Sequence, residues 1–194
     1  METPGQFRLT REQLDHFRNR IPPNEYRAFS QWLNDYSSQV DVVIRNIEEA
    51  FAGVRLENGI GLKEANGLDD YESDKELKKL RQLDEKENWS AITIEELQGN
   101  FSSLSFFDAK GFIFHLPAFL IAELNDRLHQ DFLGPLIEGI LAPPGWHELL
   151  TSQQAAALVE VMQLVRKHPM FEFHSIETID SKILQFRTIA RAKS

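Results

Sequence analysis

Five carboxylates and one histidine are the residues of this chain best suited to chemistry: Asp69, Asp70, Asp84, Glu85, Asp108 and His115. Each acid stands beside a turn or a helix end, and His115 lies among aromatic residues in Phe112-Ile-Phe-His-Leu116. Gathered in one cleft, such a set would bind a hard cation through oxygen ligands or divide acid and base roles. Every member also has a plainer use. Asp69 or Asp70 can cap a helix, Asp84 and Glu85 can pair with Arg81 or Lys86, and Asp108 can hold a turn. His115 in apolar company is more often a satisfied structural side chain than a ligand or base. No residue is assigned a catalytic or metal-binding role on spacing alone, and no cofactor is expected.

Other signatures of chemistry are missing from the sequence. The histidines at 16, 115, 129, 147, 168 and 174 include no pair at the one-turn spacing that sets two ligands on one helix face. His147-Glu148 is followed by no second histidine of a zinc-protease motif, and Ser102-Ser-Leu-Ser105 lacks the glycine-flanked elbow of a hydrolase serine. Asn58-Gly-Ile-Gly61 is a turn signal that could cradle an anion, yet no lysine follows a final glycine as in a phosphate loop. Cysteine is absent, which removes thiolate nucleophiles, disulfides and cysteine-ligated zinc, and fits a reducing, cytoplasmic setting.

The charge is unevenly spread. The formal net charge is −9, and Glu57–Glu96 alone holds 12 acids against 6 bases. A negative field repels phosphate backbones, and the aromatics are not interleaved with a basic patch, so no nucleic-acid partner is expected. A basic protein partner is the complementary expectation, with Asp69, Asp70 and Glu72 steering it and Tyr71 and Trp89 as aromatic anchors. The plainer alternative is a solvated acidic helix with both aromatics buried.

The elements that would position these residues read as mostly helical. The 194 residues, 42% hydrophobic and 26% charged, suit one globular domain over 1–194 with a core rich in its 14 phenylalanines. Thr10-Arg-Glu-Gln13 has the form of a capping box opening a first helix that stops before Pro22-Pro23. Residues 24–52 predict two helices, or one long helix with a break near Ser37-Ser38, stopped by Gly53. A charged helix follows from about Asp74 to Leu83, and Thr93-Ile-Glu-Glu96 opens another. Leu104–Phe107 and Phe112–Leu116 flank Asp108-Ala-Lys-Gly111 and predict a small β-hairpin near residues 104–116, with a helix from Pro117 to roughly Leu128. Phe132–Leu141 is apolar but interrupted by Gly134-Pro135 and Gly139, and its form is left open. Thr151-Ser-Gln-Gln154 opens a helix that ends at His168-Pro169, and a last helix runs from about Ser175 to Ala192. The fold class is therefore predominantly α (α+β), one helical domain carrying a hairpin. Met1–Thr10 has no basic run leading into an apolar stretch, and Phe112–Leu124 is too short to span a bilayer, so neither a secretory leader nor a membrane is expected.

The central residues carry a resemblance. Gly59-Ile-Gly-Leu62 with Glu64, Asp69-Asp-Tyr71, Asp84-Glu-Lys86 with Trp89, and Leu104-Ser-Phe-Phe-Asp-Ala-Lys-Gly-Phe112 running into His115-Leu-Pro-Ala-Phe-Leu120 resemble an uncharacterised bacterial domain family. The likeness spans roughly Ile47 to Leu124, with a looser helical match over Leu150–His168. It implies kinship without implying a reaction. In general style the chain is also similar to small acidic immunity proteins, which bind and silence a cognate toxin. The expectation is a protein-binding module, an immunity or antitoxin-like inhibitor of a basic toxin or enzyme. The alternative is a metal-dependent or carboxylate/His-based enzyme built on Asp84, Glu85, Asp108 and His115.

Overall fold

The computed structural model describes residues 7–8, 11–18, 20–168 and 176–193. Among these the regular structure is entirely helical. Helices α1 (Arg11–Arg18) and α2 (Pro23–Ala50) are followed by α3 (Leu62–Asp69), α4 (Asp74–Leu83) and α5 (Ile94–Gly99). Then come α6 (Ala109–Leu124), α7 (Leu133–Glu138), α8 (Ser152–Lys167) and α9 (Ile176–Ala192). Single 3₁₀ turns lie at Trp89–Ala91, Phe101–Phe106 and Trp146–Leu149. The Thr10 capping residue, Pro169, His174 and Ser175 lie outside the described residues.

Two layers of packing organise these helices. Helix α8 pairs with α2 on one side and α9 on the other, while α6 runs between α2, α5 and the Trp89 and Trp146 turns. Helix α3 lies against α4 and the Phe101–Phe106 turn. Every residue of α6 from Gly111 to Leu120 is buried, and Phe112, Phe114 and Phe119 are almost wholly shielded, as are Phe51, Phe132 and Phe186 elsewhere. Each ring of this kind stabilises the fold by about 2–3 kcal/mol through apolar area removed from water. Helix α2 continues unbroken through Ser37-Ser38, where Ser38 Oγ donates to the Asn34 carbonyl within the helix.

The expected β-hairpin is not present: no strand occurs among the described residues. Leu104 and Phe106 sit in a 3₁₀ turn, and the hairpin's second arm is the first half of α6. The Asp108-Ala-Lys-Gly111 segment is a helix start, with the Asp108 side chain accepting from the Gly111 N–H at 2.8 Å. An acid followed three residues later by glycine serves both a turn and a cap, so composition does not separate the two. The run from Phe112 onward lacks a 3.6-residue period because the helix is buried all round. Nor does Pro117 begin that helix. It sits two turns inside it, where it removes the donor that would meet the Ile113 carbonyl. Helix α6 closes at Leu124, before the expected Leu128. Asn125 caps it, and Asp126 turns left-handed at φ 54°.

Close backbone approach fixes the α6 start. A Cβ on Gly59 would lie 2.6 Å from the Gly111 nitrogen, and one on Gly111 would overlap the Ile60 carbonyl oxygen. A methyl group on Gly99, by contrast, would have nothing within 4 Å. Gly111→Ala is therefore expected to destabilise the fold by about 2–4 kcal/mol in urea denaturation. Gly99→Ala should lie within about 1 kcal/mol of the parent. Equal effects at the two positions would contradict the packing described.

Candidate functional site

Two of the candidate acids, Asp108 and Asp84, are used at the loop between α2 and α3 and at the helix start that follows it. Asp108 Oδ1 accepts from the Ile60 N–H at 3.0 Å as well as from Gly111, so one carboxylate ties that loop to the α6 N-terminus. Asp84 is buried and accepts from the N–H groups of Lys63 at 2.7 Å and Glu64 at 3.3 Å. It thus caps α3 from outside the helix, in the place left open by Gly61 at the N-cap. A Cβ on Gly61 would overlap the Asp84 side chain, so the glycine is what admits the cap. Burial pushes the Asp84 carboxyl up, against the pull of the two amides and the Lys63 ammonium. Glu85 accepts from the N–H groups of Lys86, Glu87 and Asn88, and those bonds hold its carboxyl down.

His115 faces inward. Its ring stacks on Phe107 with centroids 4.6 Å apart and meets Phe114 edge-on at 4.9 Å. Its Nδ1 lies 2.7 Å from the Gly111 carbonyl, which makes Nδ1 the protonated nitrogen of a neutral ring. Burial lowers its pKa to about 4, partly offset by that bond. The six polar residues do not form one group, although Asp108 and His115 both bond Gly111. Asp69 and Asp70 stand at one end of the eight-residue α3 and Asp84 at the other, about 12 Å apart along the axis. No group of three or more His, Asp or Glu side chains among the described residues could hold a metal ion.

The remaining candidates separate into one exposed set and one buried residue. Trp89 is buried, and its indole N–H donates to the Phe51 carbonyl at 2.8 Å, so it is not an exposed anchor. Tyr71 is 94% exposed. It occupies the left-handed position after α3 at φ 56°, with Tyr71 N–H bonded to the Leu68 carbonyl and Glu72 N–H to that of Gly67. Asp70 and Glu72 flank it in solvent, and Asp69, half-buried, accepts from the Ser103 hydroxyl at 3.5 Å.

Two features are absent from the sequence-based expectations. Glu123, near the end of α6, is buried and accepts from the Phe132 N–H at 3.3 Å. Burial raises its pKa to about 8, with Asp131 and Asp126 adding repulsion. A lone acid in Phe119-Leu-Ile-Ala-Glu-Leu124 is the signal that could have found it. The second feature is a cleft of about 210 Å³ beside α6, floored by Ala118 and Ala122, walled by Ile94, Leu97 and Ile121, and rimmed by Glu48 and Arg127. Its parts come from four elements distant in sequence, so no local pattern marks it.

These helices, capped by long-range carboxylates around a buried α6, define an all-helical domain with no assembled catalytic constellation among the described residues. The chain belongs to a family of unknown function (DUF6714), whose model matches residues 39–173. No curated protein and no solved structure matches it. No described helix is long and apolar enough to cross a membrane.

Two of the buried titratable groups, His115 and Glu123, give stability opposite slopes with pH. His115 titrates near 4 when folded against 6.5 unfolded, so its contribution is complete above about 6.5 and lost as pH falls toward 4. Glu123 titrates near 8 against 4.5, so its contribution is complete below about 4.5 and lost as pH rises toward 8. Glu123→Gln keeps the acceptor for Phe132 and removes the ionisation. Thermal melts should show little change at pH 4.5 and a gain growing to the order of 3 kcal/mol at pH 8. A gain independent of pH would refute the assignment.

Proposed function

We propose that the protein is a protein-binding module that engages a basic partner through the α3–α4 turn, in the manner of an immunity or antitoxin-like inhibitor of a basic toxin or enzyme. The observation that carries this reading is Tyr71, an aromatic ring 94% exposed and held at φ 56° in a position that favours glycine. A left-handed non-glycine residue costs about 1–2 kcal/mol, and a fully solvated tyrosine returns none of it by burial. A ring displayed in this way is suited to a partner's pocket.

Charge supports the same place. Within Glu57–Glu96, the acids Glu57, Glu64, Glu76, Glu87 and Glu96 form ion pairs with Lys110, Arg81, Lys79, Arg55 and Lys63. Asp84 and Glu85 are taken up by backbone amides. The acids left without a cation partner in this stretch fall mainly on one turn, Asp69, Asp70, Glu72 and Asp74, around Tyr71. Lys75 and Lys78 follow on α4, so the negative field is local to the turn. The carboxylate/His enzyme draws no such support, because its acids already serve as caps.

Tyr71→Gly is expected to raise Tm by about 2–4 °C, from roughly 1 kcal/mol of relieved strain, while weakening capture of the partner. Asp70→Lys with Glu72→Lys should slow association about tenfold at low salt and much less at high salt. Pull-down from a lysate of the source cells, followed by kinetics on the recovered protein, checks both. Recovery of no basic partner, or association indifferent to the charge reversal in a folded variant, would end this reading.

A further inference from the structure

Every position of α6 from Phe112 to Leu120 except 118 carries a side chain larger than alanine, yet Ala118 and Ala122, one turn apart, face the same side. The missing bulk there is what hollows the cleft of about 210 Å³ between α6, α5, the Trp89 turn and the end of α2. Its lining mixes the Trp89 ring and aliphatic side chains with the polar Glu48, Ser90, Asn125 and Arg127, and the volume is below the ~300 Å³ at which drug-sized pockets begin. The occupant it suits is small, with an apolar part and polar groups of its own.

The rim carries opposite charges. Glu48 comes from α2 and Arg127 from the turn after α6, and both line the cleft. Arg127 is fixed by its backbone at both ends: its N–H donates to the Ala122 carbonyl at 2.9 Å, and its carbonyl accepts from Gln98 Nε2 at 2.6 Å. Its guanidinium and the Glu48 carboxylate nonetheless make no ion pair or side-chain hydrogen bond among the described residues, with each other or with any other group. An acid and a base that share one small cleft without pairing offer one contact to a cation and one to an anion. Asn125 Nδ2 is occupied by the Ile121 carbonyl, which leaves its Oδ1 as a further acceptor on the same wall.

We propose that this cleft binds a free α-amino acid with a branched aliphatic side chain, the side chain lying over Ala118 and Ala122, the α-carboxylate on Arg127 and the α-ammonium on Glu48. A free amino acid has both charges on one carbon beside its apolar group. A peptide C-terminus or N-terminus offers only one of them. The site lies apart from Tyr71, so its occupancy does not depend on the α3–α4 turn having a partner.

Isothermal titration of the full chain with L-leucine tests this, alongside N-acetyl-L-leucine, L-leucinamide and 4-methylpentanoate as ligands that lack one of the two charges. Saturable 1:1 binding of leucine is expected, weakened about tenfold or more for each analogue and for Arg127→Ala and Glu48→Gln. Ala122→Leu should abolish it by filling the cleft, with circular dichroism confirming that the helices remain. The surface variants keep the test decisive should Ala122→Leu not fold. No saturable heat with leucine, isoleucine or valine up to ~10 mM would overturn the proposal. So would equal binding of the analogues, or tighter binding of N-acetyl-leucine, which would assign the cleft to a chain terminus.

Discussion

The arrangement rests on one carboxylate shared between two chain segments. Asp108 accepts from the Gly111 N–H of its own helix and from the Ile60 N–H of a loop 48 residues earlier in sequence. That sharing is possible only because the loop and helix backbones meet at Gly59 and Gly111, where any Cβ would intrude. A charge-assisted bond to an amide is worth about 1.5–3 kcal/mol, and two on one buried-edge carboxylate exceed what a surface ion pair supplies. Once the loop is fastened there, the direction of α3 follows. The chain leaves Ile60 toward Gly61, where Asp84 arrives from beyond α4 to cap the new helix. Leu56 N–H bonds the Lys86 carbonyl at 2.9 Å, so the two loops are joined by backbone as well. Without a side-chain cap of its own, α3 depends for its capping on a residue that follows α4.

The burial of α6 sets the second constraint. A helix enclosed on all sides must satisfy every polar atom from within, and its few polar residues show how. His115 donates to its own helix at Gly111 and stays neutral, and Glu123 accepts from Phe132 and is held protonated at neutral pH. Both are held neutral near pH 7 by the cost of burying a charge. The same enclosure makes the alanines at 118 and 122 conspicuous. In a helix packed by phenylalanine and leucine, two small residues on one side leave a hollow that neighbours do not fill.

Helical content is legible in the sequence where one face meets water. Helix α2, with Leu33, Tyr36, Val40, Val43 and Ile47 buried, shows the expected spacing, and the capping boxes at Thr93 and Thr151 form as their sequences imply. The hairpin expectation fails in the opposite case, a helix with no exposed face, interrupted by a glycine required for backbone approach and a proline tolerated inside. Length is the discriminating clue, since an apolar run from Phe112 to Leu124 exceeds an ordinary strand. Helix α3 shows only a turn signal, because the side chain that caps it, Asp84, comes from more than twenty residues away. For the candidate site, local chemistry identifies the right acids and does not assign their work: Asp84, Glu85 and Asp108 cap backbone, a role the sequence suggests only for Asp69 or Asp70. The acidic neighbours of Trp89 suggest a surface position, although an indole that finds a buried carbonyl belongs inside.

Net charge is therefore a poor guide to where this protein presents a field. The stretch from Glu57 to Glu96 reads as one acidic block, but most of its carboxylates are opposed by a named cation or by amide donors within 3.5 Å. Pairs of that kind cancel at distances beyond a Debye length, about 8 Å at physiological salt. What a partner approaching from solvent would sense is the residue of the subtraction, the turn around Tyr71. There the negative end of the α3 dipole adds to the negative side chains, although the carbonyls of Asn66, Gly67 and Leu68 are bonded within the turn. Acids at this end of α3 are unfavourable for the helix itself, and the left-handed tyrosine adds strain to the same turn. Two local penalties at one exposed place are what a partner contact of the kind proposed would account for, since neither contributes to folding.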